Sequence, residues 1–241
     1  MLGLCSVSFR KHRPEEILQG MQAAGLSCIE WGSDVHAPID KAEEIAALQK
    51  KHGITCCSYG TYFRVGVTPA DELEGYIRAA KILGADTLRL WCGNKNAEDY
   101  TQTEAQTLFA QCKALAEIAQ KHSVTLCMEC HSGTYANSRA AILMLMEQVA
   151  HPAFRMYWQP QQHHSFEENL ACAKAVSPFV KNIHIFNWKG EEKYPLQAAV
   201  DIWKAYLDCF DGTQTLLLEF MPDGRLESLA READALARIL R

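Results

Sequence analysis

The sequence contains no long apolar run. Its longest, Ala140–Met146, falls far below the roughly 18 residues that a membrane span requires. It has no basic excess either. Twenty-four Lys and Arg stand against 29 Asp and Glu, a formal charge of −5, so no overall field favours a polyphosphate backbone and nucleic acid is not an expected partner. No linker, low-complexity segment or composition break divides the 241 residues, which are expected to form a single domain over 1–241. No secretory leader is legible: Met1–Ser8 is too short an apolar run, and Arg10, Lys11 and Arg13 follow it rather than lead it. Cysteine, by contrast, is abundant. Yet of the ten, Cys56 and Cys57 are adjacent, and Cys5, Cys28, Cys92 and Cys127 sit in short apolar runs where a free thiol behaves as a small buried hydrophobe. Reduced cysteines and a cytoplasmic location are the expectation.

What the chain does have is one alternation from end to end. Short runs rich in β-branched, aromatic and aliphatic residues read as buried strands at Leu2–Val7, Ser27–Trp31, Ile54–Tyr59, Thr87–Trp91, Val124–Cys130, Phe154–Trp158, Val180–Phe186 and Thr215–Phe220. Helical patterns lie between them at Pro14–Ala24, Lys41–His52, Pro69–Leu83, Thr103–His122, Ser138–Ala150, Ser165–Val176, Pro195–Cys209 and Leu226–Leu240. Asp40 with Glu43, Thr103 with Gln106, and Ser165 with Glu168 have capping-box spacing; Gly25, Gly53 and Gly84 stand where left-handed C-cap residues belong. Eight units of about 30 residues fit an α/β fold of the (β/α)8 TIM barrel type. An open doubly wound sheet usually shows a glycine-rich first turn, and here that turn reads Ser8-Phe9-Arg10.

A barrel of this kind carries its chemistry at the C-terminal strand ends. Strand five ends at Glu129, strand six at Gln159, strand seven carries His184 and strand eight ends at Glu219, at intervals of about one βα unit. Side chains alternate along a strand, so an inward Glu129 puts Thr125 and Cys127 inside with it, while Leu126 and Met128 face the helices. Carboxylates are rarely buried without a cation or strong hydrogen-bond partners. Two glutamates and a histidine converging on one point make a divalent metal site, with Gln159 as a neutral oxygen ligand. Cys127 and Cys130 have CxxC spacing, but on an extended strand they point to opposite faces and cannot share one metal.

The runs Leu2-Gly3-Leu4-Cys5-Ser6, Pro14-Glu15-Glu16-Ile17-Leu18, Ala24-Gly25-Leu26-Ser27-Cys28-Ile29-Glu30-Trp31 and Asp34-Val35-His36, in this order and followed by the four strand-end residues, resemble the xylose-isomerase-like barrel superfamily, the sugar phosphate isomerase/epimerase group. The resemblance implies that Glu129, Gln159, His184 and Glu219 hold one divalent ion (Mn, Mg, Zn or Co). It also implies a small polyol, sugar or sugar-phosphate substrate, and a homo-oligomer. Gln159 departs from the family's aspartate and removes one ligand charge; Asn187 stands where many relatives have Asp.

A cation that chelates a carbonyl and a neighbouring hydroxyl acidifies the adjoining C–H. Glu129 and Glu219 are then the expected proton-transfer pair, with Glu219 the preferred base. The outcome is isomerisation, epimerisation or, if a β-hydroxyl leaves, dehydration of the inosose or dehydroshikimate kind; a non-catalytic sugar-binding barrel is the alternative that Gln159 raises. Further candidates for substrate contact are His36, Arg89, Trp91, His131, His163 and Lys189, with His164 beside them and Phe9, Tyr59, Tyr62 and Trp91 as an apolar wall. For each a structural role competes: a surface histidine, an ion pair inside the barrel for Arg89, a solvated lysine, or plain core for the aromatics.

Overall fold

The computed structural model describes residues 1–240. Eight of its strands close a parallel barrel in the order β1, β10, β7, β6, β5, β4, β3, β2. They are β1 (Leu2–Cys5), β2 (Cys28–Gly32), β3 (Thr55–Val65), β4 (Thr87–Cys92), β5 (Thr125–Met128), β6 (Phe154–Trp158), β7 (Val180–Ile185) and β10 (Thr215–Leu218). The helices are α1 (Pro14–Ala23), α2 (Ala42–Lys51), α3 (Leu73–Leu83), α4 (Gln102–Lys121), α5 (Arg139–Val149), α6 (Phe166–Val176), α7 (Val200–Leu207) and α8 (Leu229–Ile239). The closed barrel is the fold expected from the alternation. No helix among the described residues is long and apolar enough to cross a membrane.

The period of two sorts the barrel into layers. Leu126 and Met128 join the large core between strands and helices, whereas Cys127 packs inside the barrel with Cys28, Tyr157 and Leu217. Helices close the outer layer with one apolar face each. On α8, Leu229, Ala233, Leu236 and Ile239 recur at helical spacing and are buried. Gly25, Gly53 and Gly84 occupy left-handed conformations after α1, α2 and α3, as expected of C-cap glycines. All ten cysteines are free thiols.

Local boundaries differ in several places. The box capping α4 is Thr101 with Glu104, two residues before the expected Thr103 and Gln106. Asp40 lies in a 3-10 turn (Ile39–Lys41) and caps nothing by its side chain. Ser165 with Glu168 caps α6 as expected. Strand β3 runs on to Val65, past the expected end at Tyr59, with register shifts against both neighbours. A two-stranded hairpin, β8 (Trp188–Lys189) with β9 (Glu192–Lys193), occupies the loop after β7. Its strands of two residues are too short to show any hydrophobic period, which is why pattern reading misses them.

Candidate active site

Glu129 and Glu219 each follow the last residue of a strand, and the sheet ladder still holds their backbones. The Glu129 N–H donates to the Leu90 carbonyl at 2.9 Å, and the Glu219 N–H to Ile185 at 3.0 Å. The inward parity of β5 and β10 is therefore carried through to both carboxylates. Together with Gln159, after β6, they surround one edge of the His184 imidazole. Gln159 Oε1 lies 2.9 Å from Nδ1, Glu219 Oε2 3.3 Å and Glu129 Oε1 3.5 Å. The four residues picked out at the strand ends thus meet at one point, in a site where His184 is wholly buried and the two acids nearly so.

The two acids have unequal surroundings. Glu129 Oε2 accepts from the Arg89 guanidinium and from the Trp91 indole N–H, the latter at 2.9 Å. Glu219 accepts no side-chain hydrogen bond among the described residues; the imidazole lies 3.3 Å away and the Cys5 thiol within 4.8 Å. Burial works against charge in Glu129, but the Arg89 guanidinium and then His184 outweigh it and hold the carboxyl down at about 2. In Glu219 burial dominates, opposed by His184 and reinforced by the Glu129 charge, and pushes the carboxyl up to about 7. Burial likewise opposes charge on His184, yet Glu219, Glu129 and Glu30 raise it well above the ordinary imidazole range.

Glu30, on β2, belongs to this cluster as well, outside the set of strand-end residues. It is fully buried and ion-paired to Arg89 Nε at 2.9 Å. Arg89 thus bridges two glutamates beneath the mouth and acts as their counter-charge, which takes the structural alternative for this residue. The signal was present in the strand pattern: Cys28-Ile29-Glu30-Trp31-Gly32 is buried throughout. A lone acid on its inner face needs a partner such as the equally odd arginine of Thr87-Leu88-Arg89-Leu90-Trp91.

Gly60 makes room for this pair. A Cβ there would stand 2.8 Å from Glu30 Oε1 and 2.9 Å from Arg89 Nη2. Gly60→Ala is expected to cost about 1–3 kcal/mol through overpacking, read as a lower urea midpoint at unchanged m-value.

The donor set fits a divalent cation. Three glutamates against one arginine leave a net charge of −2 when His184 is neutral. The gaps of 2.9–3.5 Å around Nδ1 match the roughly 3–3.5 Å edges of a coordination shell with bonds of about 2.0–2.2 Å. Cys5, at the end of β1, stands just beneath. Its thiol and ligand atoms of His184 and Glu219 lie within 4.8 Å of one another.

Above the cluster opens a cleft of about 380 Å³ whose floor includes Glu129, Gln159 and Glu219. Arg89, Trp91, His131 and Tyr62 line it, with Arg10, which pairs with Asp34 at 2.6 Å. One wall is the Trp188 ring stacked on Phe220, centroids 4.9 Å apart and planes 14° apart. Phe220 directly follows Glu219 in a left-handed conformation (φ +59°), which costs an aromatic residue on the order of 1–3 kcal/mol. The Ser8 hydroxyl accepts its N–H at 2.8 Å and holds it there. Neither wall residue was foreseen, because strain and a hairpin leave no mark in hydrophobic period.

Six expected contacts lie elsewhere. His36 is buried against Trp31 with Nδ1 3.1 Å from Ser6 Oγ, because its loop turns back onto the end of β2. His163, His164 and Lys189 line a neighbouring depression with Trp203 and Tyr206, carried outward by the lead into α6 and by the hairpin. Phe9 packs into the core against His12. Tyr59 faces the helices and donates to the Ala37 carbonyl at 2.6 Å, since the β2–β3 register shift turns Ser58 inward instead.

A family model described as xylose isomerase-like TIM barrel matches residues 18–236. No curated protein matches the sequence. Among solved structures, the probable 3-DHS dehydratase AsbF involved in petrobactin synthesis from Bacillus anthracis superposes with a TM-score of 0.82 at 17% identity, covering 98% of each chain. The IOLI protein with a binding zinc atom gives 0.81 at 15% identity, covering 99% of this chain and 97% of that one. L-ribulose 3-epimerase gives 0.71 at 17% identity, covering 98% and 92%. At such identities the likeness is one of fold.

Proposed function

The chain belongs to the xylose isomerase-like TIM barrel family, and we propose that it is a metal-dependent isomerase or epimerase acting on a small sugar, polyol or sugar phosphate. The observation that supports this most directly is the convergence of Glu129, Gln159 and Glu219 on His184 Nδ1 at the floor of an open cleft. These four residues would hold the ion. When bound, it supplies Lewis acidity toward a carbonyl and its neighbouring hydroxyl.

The protein's own part follows from the asymmetry of the two acids. Glu219, without a side-chain hydrogen-bond donor, is the group left to take a proton from carbon and return it. Glu129, committed to Arg89 and the Trp91 indole, stays an anion and contributes fixed charge. Isomerisation then needs one base only, Glu219 carrying hydrogen between neighbouring positions on a single face, whereas epimerisation inverts a centre and needs a second proton donor on the opposite face, the part the paired glutamates were expected to share. The Trp188–Phe220 stack packs the apolar face of the substrate, and together with Trp91 it keeps water from the reacting carbon.

The test is incubation of the metal-loaded protein with a panel of ketoses and their phosphates in D2O. Deuterium incorporation at the carbon beside the carbonyl without loss of water is expected. Release of a dehydrated product would assign the dehydratase reaction, and binding without exchange a sugar-binding barrel.

Proton competition gives a second check. Glu219 at about 7 and His184 above its ordinary range both hold protons in the ion-free site near neutral pH. Metal uptake therefore releases protons, and affinity rises with pH, by about tenfold per unit for each proton displaced, most steeply below about pH 7. Calorimetric titration in buffers of different ionisation enthalpy measures this. An affinity that stays flat between about pH 5.5 and 8 contradicts it.

A further inference from the structure

Glu30 lies one layer below the cleft, and four strands converge on its carboxylate. Oε1 accepts from Arg89 Nε at 2.9 Å and from the Cys5 thiol at 3.3 Å, and it stands 3.6 Å from His184 Nε2. Oε2 accepts from the Tyr157 hydroxyl at 2.5 Å. That phenol has one proton to give, so it accepts from Asn182 Nδ2 at 2.8 Å, and the Ser58 hydroxyl, 2.5 Å away, donates to it. Burial, then the Glu30 charge, raise the phenol well above its ordinary range, so it stays a donor.

The two edges of the His184 ring are therefore unlike. Nδ1 faces the three oxygens at the cleft floor; Nε2 is buried, has no hydrogen-bond partner, and faces Glu30 across a gap that a few tenths of an ångström would close. An imidazole that ligates through one nitrogen carries its proton on the other and needs an acceptor there.

We propose that Glu30 is a positioning residue of the ion site: its carboxylate takes the Nε2–H of His184, keeps the Nδ1 lone pair turned toward Glu129, Gln159 and Glu219, and through Arg89 fixes the orientation of Glu129. This rests on the metal-dependent function proposed above. It also gives Glu30 a reason to be charged. Gln159 brings a neutral donor to the ion, and a carboxylate behind the histidine raises the basicity of that ligand.

Glu30→Gln keeps the shape of the side chain and removes its charge. Zinc affinity, measured by competition with a chelator, is expected to fall about 10- to 100-fold. The ring 15N shifts of His184 in the zinc-loaded wild type should report Nε2–H with Nδ1 ligated, and the variant should show a mixture of tautomers. A purely structural role would lower the Tm and leave the tautomer alone.

Wild-type zinc affinity in Glu30→Gln with the Nε2–H signature intact overturns the proposal, as does a wild-type ring protonated on Nδ1. Should Glu30→Gln not fold, Tyr157→Phe carries the test. It frees one carboxylate oxygen and should weaken zinc binding about three- to tenfold, and unchanged affinity counts against Glu30. Uptake of no divalent cation by the wild type overturns the metal reading itself, a result distinct from zinc binding that ignores Glu30.

Discussion

Glu219→Gln is expected to lower turnover by at least about 10³-fold while the protein stays folded. The side chain lines the cleft floor and accepts no side-chain hydrogen bond among the described residues, so the amide breaks none that holds the barrel together. Its carboxyl is pushed up to about 7, chiefly by burial, so the ionised form is the one the site disfavours. The sign of the linkage follows. An acid raised in the folded state lowers stability as pH climbs from its unfolded value through its folded one, and the amide removes that loss. The variant should therefore match or exceed the wild-type Tm at pH 8. Deuterium exchange and a thermal melt on one preparation decide the matter, and full exchange activity would remove Glu219 from the mechanism. Glu129→Gln makes the useful contrast, because it also strips Arg89 of one of its two partners and should lower stability as well as rate.

Arg89→Met is expected to be the most destabilising single change in the barrel interior, by about 3–5 kcal/mol at neutral pH. It leaves Glu30 and Glu129 buried without their shared counter-charge. In the wild type both carboxyls lie below the ordinary range. Burial opposes this, and Arg89 is the largest of the groups that overcome it. Their stabilising contribution is thus present above the unfolded carboxylate range of about 4.3 and is lost as pH falls through the folded values, about 2 for Glu129. In the variant burial is opposed only by His184 and, for Glu30, by the Tyr157 hydroxyl, so both groups rise. The deficit against wild type should be full at pH 7.5 and should shrink toward pH 4.5, where the carboxyls take up protons. Urea titrations at the two pH values measure it. A loss below about 1 kcal/mol at pH 7.5 would mean that Arg89 is not the counter-charge the geometry implies.

The main elements of the site were legible because they obey strand period and unit spacing. Glu129, Gln159, His184 and Glu219 recur once per βα unit at the same strand end, and a closed parallel barrel brings such positions together. The position of Arg89 and Trp91 on one face of β4 follows from the same period. His36, His163 and Lys189 were misplaced because they lie in loops, where direction is set by turns and by the hairpin rather than by period. Tyr59 fell to the opposite face because one register shift between β2 and β3 inverts every side chain beyond it.

The sequence by itself determined the alternation, the barrel, and the strand ends that carry acid and imidazole, since these depend on local period and on residue type. Only the tertiary structure decided that Arg89 binds one of the two acids and leaves the other free, that Glu30 stands behind His184, and that Phe220 is held in a left-handed turn against Trp188. The physical reason is that burial and electrostatic pairing depend on distances of 3–4 Å between residues tens of positions apart. Those distances exist only once the strands have closed.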